Sequence, residues 1–167
     1  GLFRDGRLTD LGIERTFHVN HLAPFLLTAD LLDHLRDGGR VVTTASAAHN
    51  GVSLDLDRVG RVESYSGLWA YSHSKLANVL FGAELARRLA ADGRDLTSNS
   101  IHPGAIPGSG FSRFLPGPLP RLVGALDAVP GVTSVADGAA ELLFVAVSPR
   151  TADISGRYFS GRQPTLP

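Results

Sequence analysis

Tyr71 and Lys75 stand four residues apart in a run, 67–81, whose pattern predicts a helix. At that spacing a phenol and an ammonium share one helix face, a turn apart. A free tyrosine, with a pKa of roughly 10, is a poor proton donor or acceptor at neutral pH. A cation within about 4–6 Å favours the phenolate and moves that pKa toward the working range. The pair therefore suits proton exchange with an alcohol or carbonyl oxygen. Taken alone, it fits a half-buried tyrosine beside a solvated lysine better, and its neighbours must decide between the two.

Two segments are placed to hold that helix face over a ligand. Residues 40–46, RVVTTAS, form a β-branched run that reads as a buried parallel strand with Ser46 at its carboxyl end. Residues 96–101 read as a second strand, breaking into a loop at His102-Pro103-Gly104. Ligands of open α/β sheets bind outside the carboxyl ends of the strands. Ser46, the Tyr71 face and Pro103-Gly104 are therefore expected to converge on one crevice. Ser46 by itself reads as a helix or turn cap.

With these residues in place, the chain resembles the short-chain dehydrogenases/reductases. The wording is closest to the retinol dehydrogenase and WW-domain oxidoreductase branch: TFHVNHLAPFLLT, RVVTTASAAH, YSHSKLANVLFGAELARRL and SIHPG occur in that order. The resemblance implies an α/β fold, the C-terminal part of a Rossmann-type doubly wound parallel sheet. It implies an oxidoreductase that moves a hydride between a nicotinamide cofactor, NAD or NADP with a lean to NADP, and a small-molecule alcohol or carbonyl. Tyr71 would be the general acid/base, Ser46 would position the substrate oxygen, and Lys75 would bind the nicotinamide ribose. Asn20 would hold a water in the proton relay. Pro103, Gly104, Ile106 and Ser109, together with Tyr71 and Lys75, would contact the cofactor. One departure stands out: where the family has a threonine four residues after Pro-Gly, this chain has Gly108, with Ser109 one residue late.

Composition narrows the alternatives. Sixteen basic residues balance sixteen acidic ones, which leaves no electrostatic footprint for nucleic acid or anionic lipid. Cysteine is absent, excluding disulfides, thiolate metal sites and a cysteine nucleophile. No apolar run approaches the ~20 residues of a membrane helix, and no signal peptide is recognisable, so a cytoplasmic protein is expected. The chain starts at Gly1, contains no methionine, and lacks the Gly-rich turn that holds a cofactor pyrophosphate in the family. The expectation is a single partial domain, 1–167, whose N-terminal Gly-rich βαβ half is missing. A non-catalytic partial domain acting only in association is the alternative.

Local signals predict the remaining elements. A helix over 9–36, capped by Thr9 or Asp10, carries apolar residues at Leu11, Phe17, Leu22, Phe25, Leu26, Leu31 and Leu32, and stops at Asp37-Gly38-Gly39. Its interior Pro24 cannot donate to the Asn20 carbonyl. That is either an ordinary kink or a bend that exposes this carbonyl to water. Residues 49–67 read as a long polar loop anchored by Leu54, Leu56 and Val59. The helix bearing Tyr71 is expected over 71–92, with Leu76, Val79, Leu80, Leu85 and Leu89 on its core side. Homo-oligomerisation through helices 9–36 and 71–92 follows from the resemblance. The Gly- and Pro-rich segment 105–130, with Phe111, Phe114, Leu115, Leu119 and Leu122, reads as a surface loop or as a cover over an apolar substrate. Thr133-Ser134 caps a last helix to about Val147, and residues 156–159 read as a final strand. His18 and His21, three apart, have the spacing of metal ligands but no third partner nearby, so no metal is expected.

Overall fold

The structure, a computed structural model, describes residues 2–3, 5–106 and 133–167. Four strands lie in the order β1 (Gly39–Thr44), β2 (Leu96–His102), β3 (Tyr158–Ser160) and β4 (Gln163–Thr165). The first three pair parallel, and β4 returns antiparallel against β3. Successive side chains of a strand point to opposite faces, so the register sorts the apolar residues between two helices. On one face Val41 and Leu96 pack with Leu85 and Leu89 of α3 (Gly67–Ala91), and Ala45 and Tyr158 meet Val79. On the other, Val42, Ile101 and Phe159 pack with Phe144 and Val145 of α4 (Val135–Val147). This is the doubly wound arrangement expected from the sequence.

β2 is the central strand, and its interior is polar. Ser98, Asn99 and Ser100 are between 0% and 2% exposed. The small serines let α3 approach closely: a Cβ on Gly82 would sit 3.4 Å from the backbone of Asn99 and from Ser100 Cβ. Asn99 is satisfied by donating to the Ile154 carbonyl at 2.7 Å and accepting from Arg157 N–H at 3.0 Å, which stitches β2 to the turn before β3. By contrast β1, expected to be buried, is mostly half-buried, with Thr43 as its one buried residue. It is one of the two edge strands of the described sheet, β4 being the other.

The first helix differs most from expectation. Residues 8–14 form a turn closed by a Leu8–Glu14 bridge, with Gly12 at φ +72°, instead of a first helical turn at Thr9 or Asp10. The helix starts at α1 (Arg15–Phe17), where both Glu14 carboxylate oxygens accept backbone N–H groups, from Thr16 at 2.7 Å and Phe17 at 2.9 Å. An anionic acceptor satisfies these orphan donors and suits the positive end of the helix dipole. A π-helical segment, His18–Leu22, follows, then α2 (Ala23–Leu31) and a 3-10 turn, Leu32–His34. The helix thus ends short of Arg36. α2 has no buried residue, and Phe25, Leu26, Leu27 and Leu31 are exposed, so of the predicted stripe Phe17 is buried and Leu32 packs, half-buried, against Leu85, Leu89 and Leu96.

Smaller differences follow the same logic. α3 begins at Gly67, four residues before Tyr71, because the Ser66 hydroxyl caps Trp69 N–H, and Leu80 is exposed instead of facing the core. Leu54 and Leu56 are exposed and do not anchor the 49–67 segment. That segment is held instead by Asp55 N–H donating to His73 Nε2 at 2.9 Å and by Glu14 N–H donating to the Val59 carbonyl at 2.7 Å. α4 carries the cap expected at Ser134, reinforced by Ser134 N–H donating to the Asp137 carboxylate at 2.9 Å.

Candidate active site

β1 and β2 end side by side, with Thr44 opposite Ile101 in the register. The two segments that leave them, Ala45-Ser46 and Pro103-Gly104, therefore emerge at the same edge. α3 crosses this edge with Tyr71 and Lys75 on one face. Lys75 Nζ lies 5.7 Å from the centre of the Tyr71 ring and donates to the Thr44 carbonyl at 2.9 Å. Desolvation lowers the Lys75 pKa to about 8. Lys75 is also the only lysine of the 167 residues, all other cationic side chains being arginine.

Ser46 lies two residues past β1. Its hydroxyl accepts from Ala48 N–H at 3.3 Å and caps the 3-10 turn Ala47–His49, which packs against α3. The cap reading holds for this residue. Behind it, His49 is 4% exposed and its Nδ1 faces the Ser46 carbonyl, so Nδ1 carries the proton. Pro103 and Gly104 form the turn after β2, with Gly104 at φ +87°, a conformation that glycine adopts without strain. The turn rests on the start of α4: a Cβ on Gly138 would fall 3.2 Å from the Pro103 carbonyl and into the Ile106 side chain. Ser109, Gly108 and the part of the 105–130 segment beyond Ile106 lie outside the described residues.

Asn20 enters from the π-helical segment. With no N–H on Pro24, the Asn20 carbonyl accepts instead from Asn78 Nδ2 at 3.0 Å. A π-turn aims this carbonyl at α3, where a side-chain amide that the sequence reading did not foresee meets it. The Asn20 side chain donates to Ser74 Oγ at 3.0 Å. The two histidines proposed and set aside as metal ligands part company. His18 Nδ1 meets Thr9 Oγ1 and His21 Nδ1 meets Asn78 Oδ1, each at 3.0 Å.

Asn78 is the residue that sequence reasoning missed. It is 2% exposed and bonds to Asn20, His21 and Thr44. Its position, one turn after Lys75 and two after Tyr71, is the only signal that could have found it. A cleft of about 690 Å³, lined by Glu14, Arg58, Trp69 and His73 among others, opens on the far face of α3. At 100° per residue, Trp69, Ala70 and His73 point roughly opposite to Tyr71 and Lys75. This cleft is therefore separate from the tyrosine–lysine site.

A family model for short chain dehydrogenase matches residues 3–113. The chain belongs to the short-chain dehydrogenase family. Retinol dehydrogenase 13 of Homo sapiens is 37% identical over 172 residues, which cover 95% of this chain and 49% of that protein. The WW domain-containing oxidoreductase of Danio rerio is 36% identical over 172 residues, 96% of this chain and 40% of that protein. These place it in the retinol dehydrogenase-like branch. Among solved structures, a short chain dehydrogenase from Burkholderia cenocepacia J2315 in complex with NADP is 27% identical at a TM-score of 0.64, covering 96% of this chain and 60% of that one. This short-chain dehydrogenase chain spans about half the length of the curated relatives it matches. Among its described residues, no helix is long and apolar enough to cross a membrane.

Proposed function

We propose that this short-chain dehydrogenase chain carries the proton-transfer half of a nicotinamide-dependent oxidoreductase acting on an alcohol or carbonyl. The observation that carries the reading is the Lys75 ammonium, 5.7 Å from the Tyr71 ring and tethered to the carbonyl at the end of β1. In the reductive direction Tyr71 Oη gives its proton to the substrate oxygen; in the oxidative direction it takes one. Ser46 donates a hydrogen bond to the same oxygen and orients it. Asn20 stands behind Lys75 in the relay, through a carbonyl that Asn78 has already oriented.

The residues present fit the nicotinamide end of a dinucleotide. An ammonium has three donors, and the bond to Thr44 uses one, so Lys75 is suited to ribose hydroxyls. Gly104, free of a Cβ in a left-handed turn, allows close approach at Pro103, Gly104 and Ile106. Ser109 would add a hydroxyl. When bound, the nicotinamide supplies or accepts the hydride. The NADP complex of the Burkholderia relative supports NADP. The pyrophosphate needs a Gly-rich helix start, which the matched sequence does not include. The apolar character of segment 105–130 supports an apolar substrate, and the exposed apolar residues of α2 support self-association through that helix.

The test is turnover of an apolar alcohol or aldehyde by the whole protein with NADH and NADPH, beside a Tyr71→Phe variant. Loss of about 10²–10⁴-fold in kcat is expected in a folded variant. Full activity of Tyr71→Phe would remove tyrosine from the mechanism.

A further inference from the structure

We propose that Asn78 is a positioning residue for Lys75, its amide clasping the π-helical segment, α3 and the end of β1 into one fixed arrangement. The proposal rests on reading Lys75 as the partner of Tyr71. Asn78 Nδ2 donates to two carbonyls at once, Asn20 at 3.0 Å and Thr44 at 3.1 Å, while Oδ1 faces His21 Nδ1 at 3.0 Å. Carbonyl oxygens only accept, so the atom between them must be the amide nitrogen. Oδ1 is then the acceptor for His21, whose Nδ1 carries the proton. The imidazole in turn is wedged among Phe17, Phe25 and Phe81, with ring centres 5.0 to 6.2 Å away. The chain of contacts fixes which way the amide points.

Lys75 Nζ shares the Thr44 acceptor with Asn78, at 2.9 Å. A carbonyl has two lone pairs, so the amide occupies one and leaves the lysine a single direction of approach. Asn78 thereby limits where the ammonium can stand relative to Tyr71, and it does so without touching substrate or cofactor. The same nitrogen holds the Asn20 carbonyl, so the two groups of the proton relay are referenced to one atom. The titratable groups bonded at this clasp are His21 on the π-helical segment and, through Thr44, Lys75 on α3, which in turn lies against the Tyr71 ring. Burial is the cause that lowers Lys75, and burial likewise lowers His21, opposed by its bond to Asn78.

The experiment compares Asn78→Leu with the unaltered whole protein. It reads kcat and KM, and it reads the Lys75 titration from the ¹³C signal of the dimethylated lysine, assigned by its loss in Lys75→Arg. Expected are a fall in kcat on the order of 10²-fold with KM within about twofold, as for a displaced catalytic group. The lysine midpoint should rise toward the ordinary value as water reaches Thr44. A residue that served only stability would lower the unfolding midpoint and leave both readouts in place. His21→Phe keeps the aromatic packing and removes the bond to Oδ1, so it serves where Asn78→Leu does not fold; the same shifts, smaller, are expected. Unchanged kcat and lysine midpoint in either folded variant overturn the proposal. A Tyr71→Phe protein with full turnover overturns the reading of the site instead, and the two failures are thereby distinguished.

Discussion

The side-chain amide of Asn20 donates to the hydroxyl of Ser74 at 3.0 Å, across the contact between the π-helical segment and α3. Ser74 is 0% exposed, and its own proton goes to the Tyr71 carbonyl at 2.7 Å. Asn20 thus works twice: its side chain locks one helix to the other, and its backbone carbonyl joins the Asn78 clasp. Ser74→Ala removes the acceptor from a buried amide. The expected cost is about 1–3 kcal/mol in urea unfolding followed by Trp69 fluorescence. A change below about 0.5 kcal/mol would show that this bond does not hold the helices together.

Lys75 makes stability depend on alkaline pH. Its pKa is about 8 in the folded chain against 10.5 for the ordinary side chain. Between those values the unfolded chain binds more protons, so stability rises with pH through this window and is lowest below about 8. The full effect is at most about 3 kcal/mol, reduced by the screening that partial exposure allows. Lys75→Met should be more stable than the parent at pH 7, with the difference closing by about pH 10.5. Parallel unfolding curves at both pH values for the two proteins would count against a desolvated lysine.

Glu14 is an unusual start for a helix, because both its oxygens are spent on backbone N–H groups while the residue is 4% exposed. Glu14→Ala leaves two donors buried and should cost about 1–2 kcal/mol. Glu14→Gln keeps one acceptor and should cost less. Equal losses for the two variants in thermal unfolding would assign the effect to packing and not to the cap.

Gly138 supports the turn after β2 from beneath. A Cβ there would meet the Pro103 carbonyl at 3.2 Å and displace the Ile106 side chain. In Gly138→Ala the turn must shift by a few tenths of an ångström, while α4 itself gains propensity of roughly 1 kcal/mol. The expected result is weaker NADPH binding with stability close to the parent, measured by titration calorimetry on the whole protein. Unaltered binding would place the cofactor away from Pro103 and Ile106.

Much of this protein could be read along the chain because the signals are local. Tyr71 and Lys75 needed only helical spacing to share a face, and β1 and β2 announced themselves by composition and by the residues that break them. Ser134 and Gly104 were legible for the same reason, since a cap and a left-handed turn are decided by the residue and its immediate neighbours. The Glu14 start was not, because a glutamate becomes a cap only when the chain folds its carboxylate back over buried N–H groups. Nor was the π-turn at Asn20: Pro24 announced a missing donor, but only tertiary packing supplied the Asn78 amide that replaces it. The β4 hairpin, which pairs Gln163–Thr165 with β3, likewise lacks an apolar pattern because all three of its residues are exposed. Sequence alone placed the proposed tyrosine–lysine pair on one helix face. The tertiary structure decided how they are held, since Thr44, Asn20 and Asn78 come from three separate elements and meet only when the helices close on the sheet.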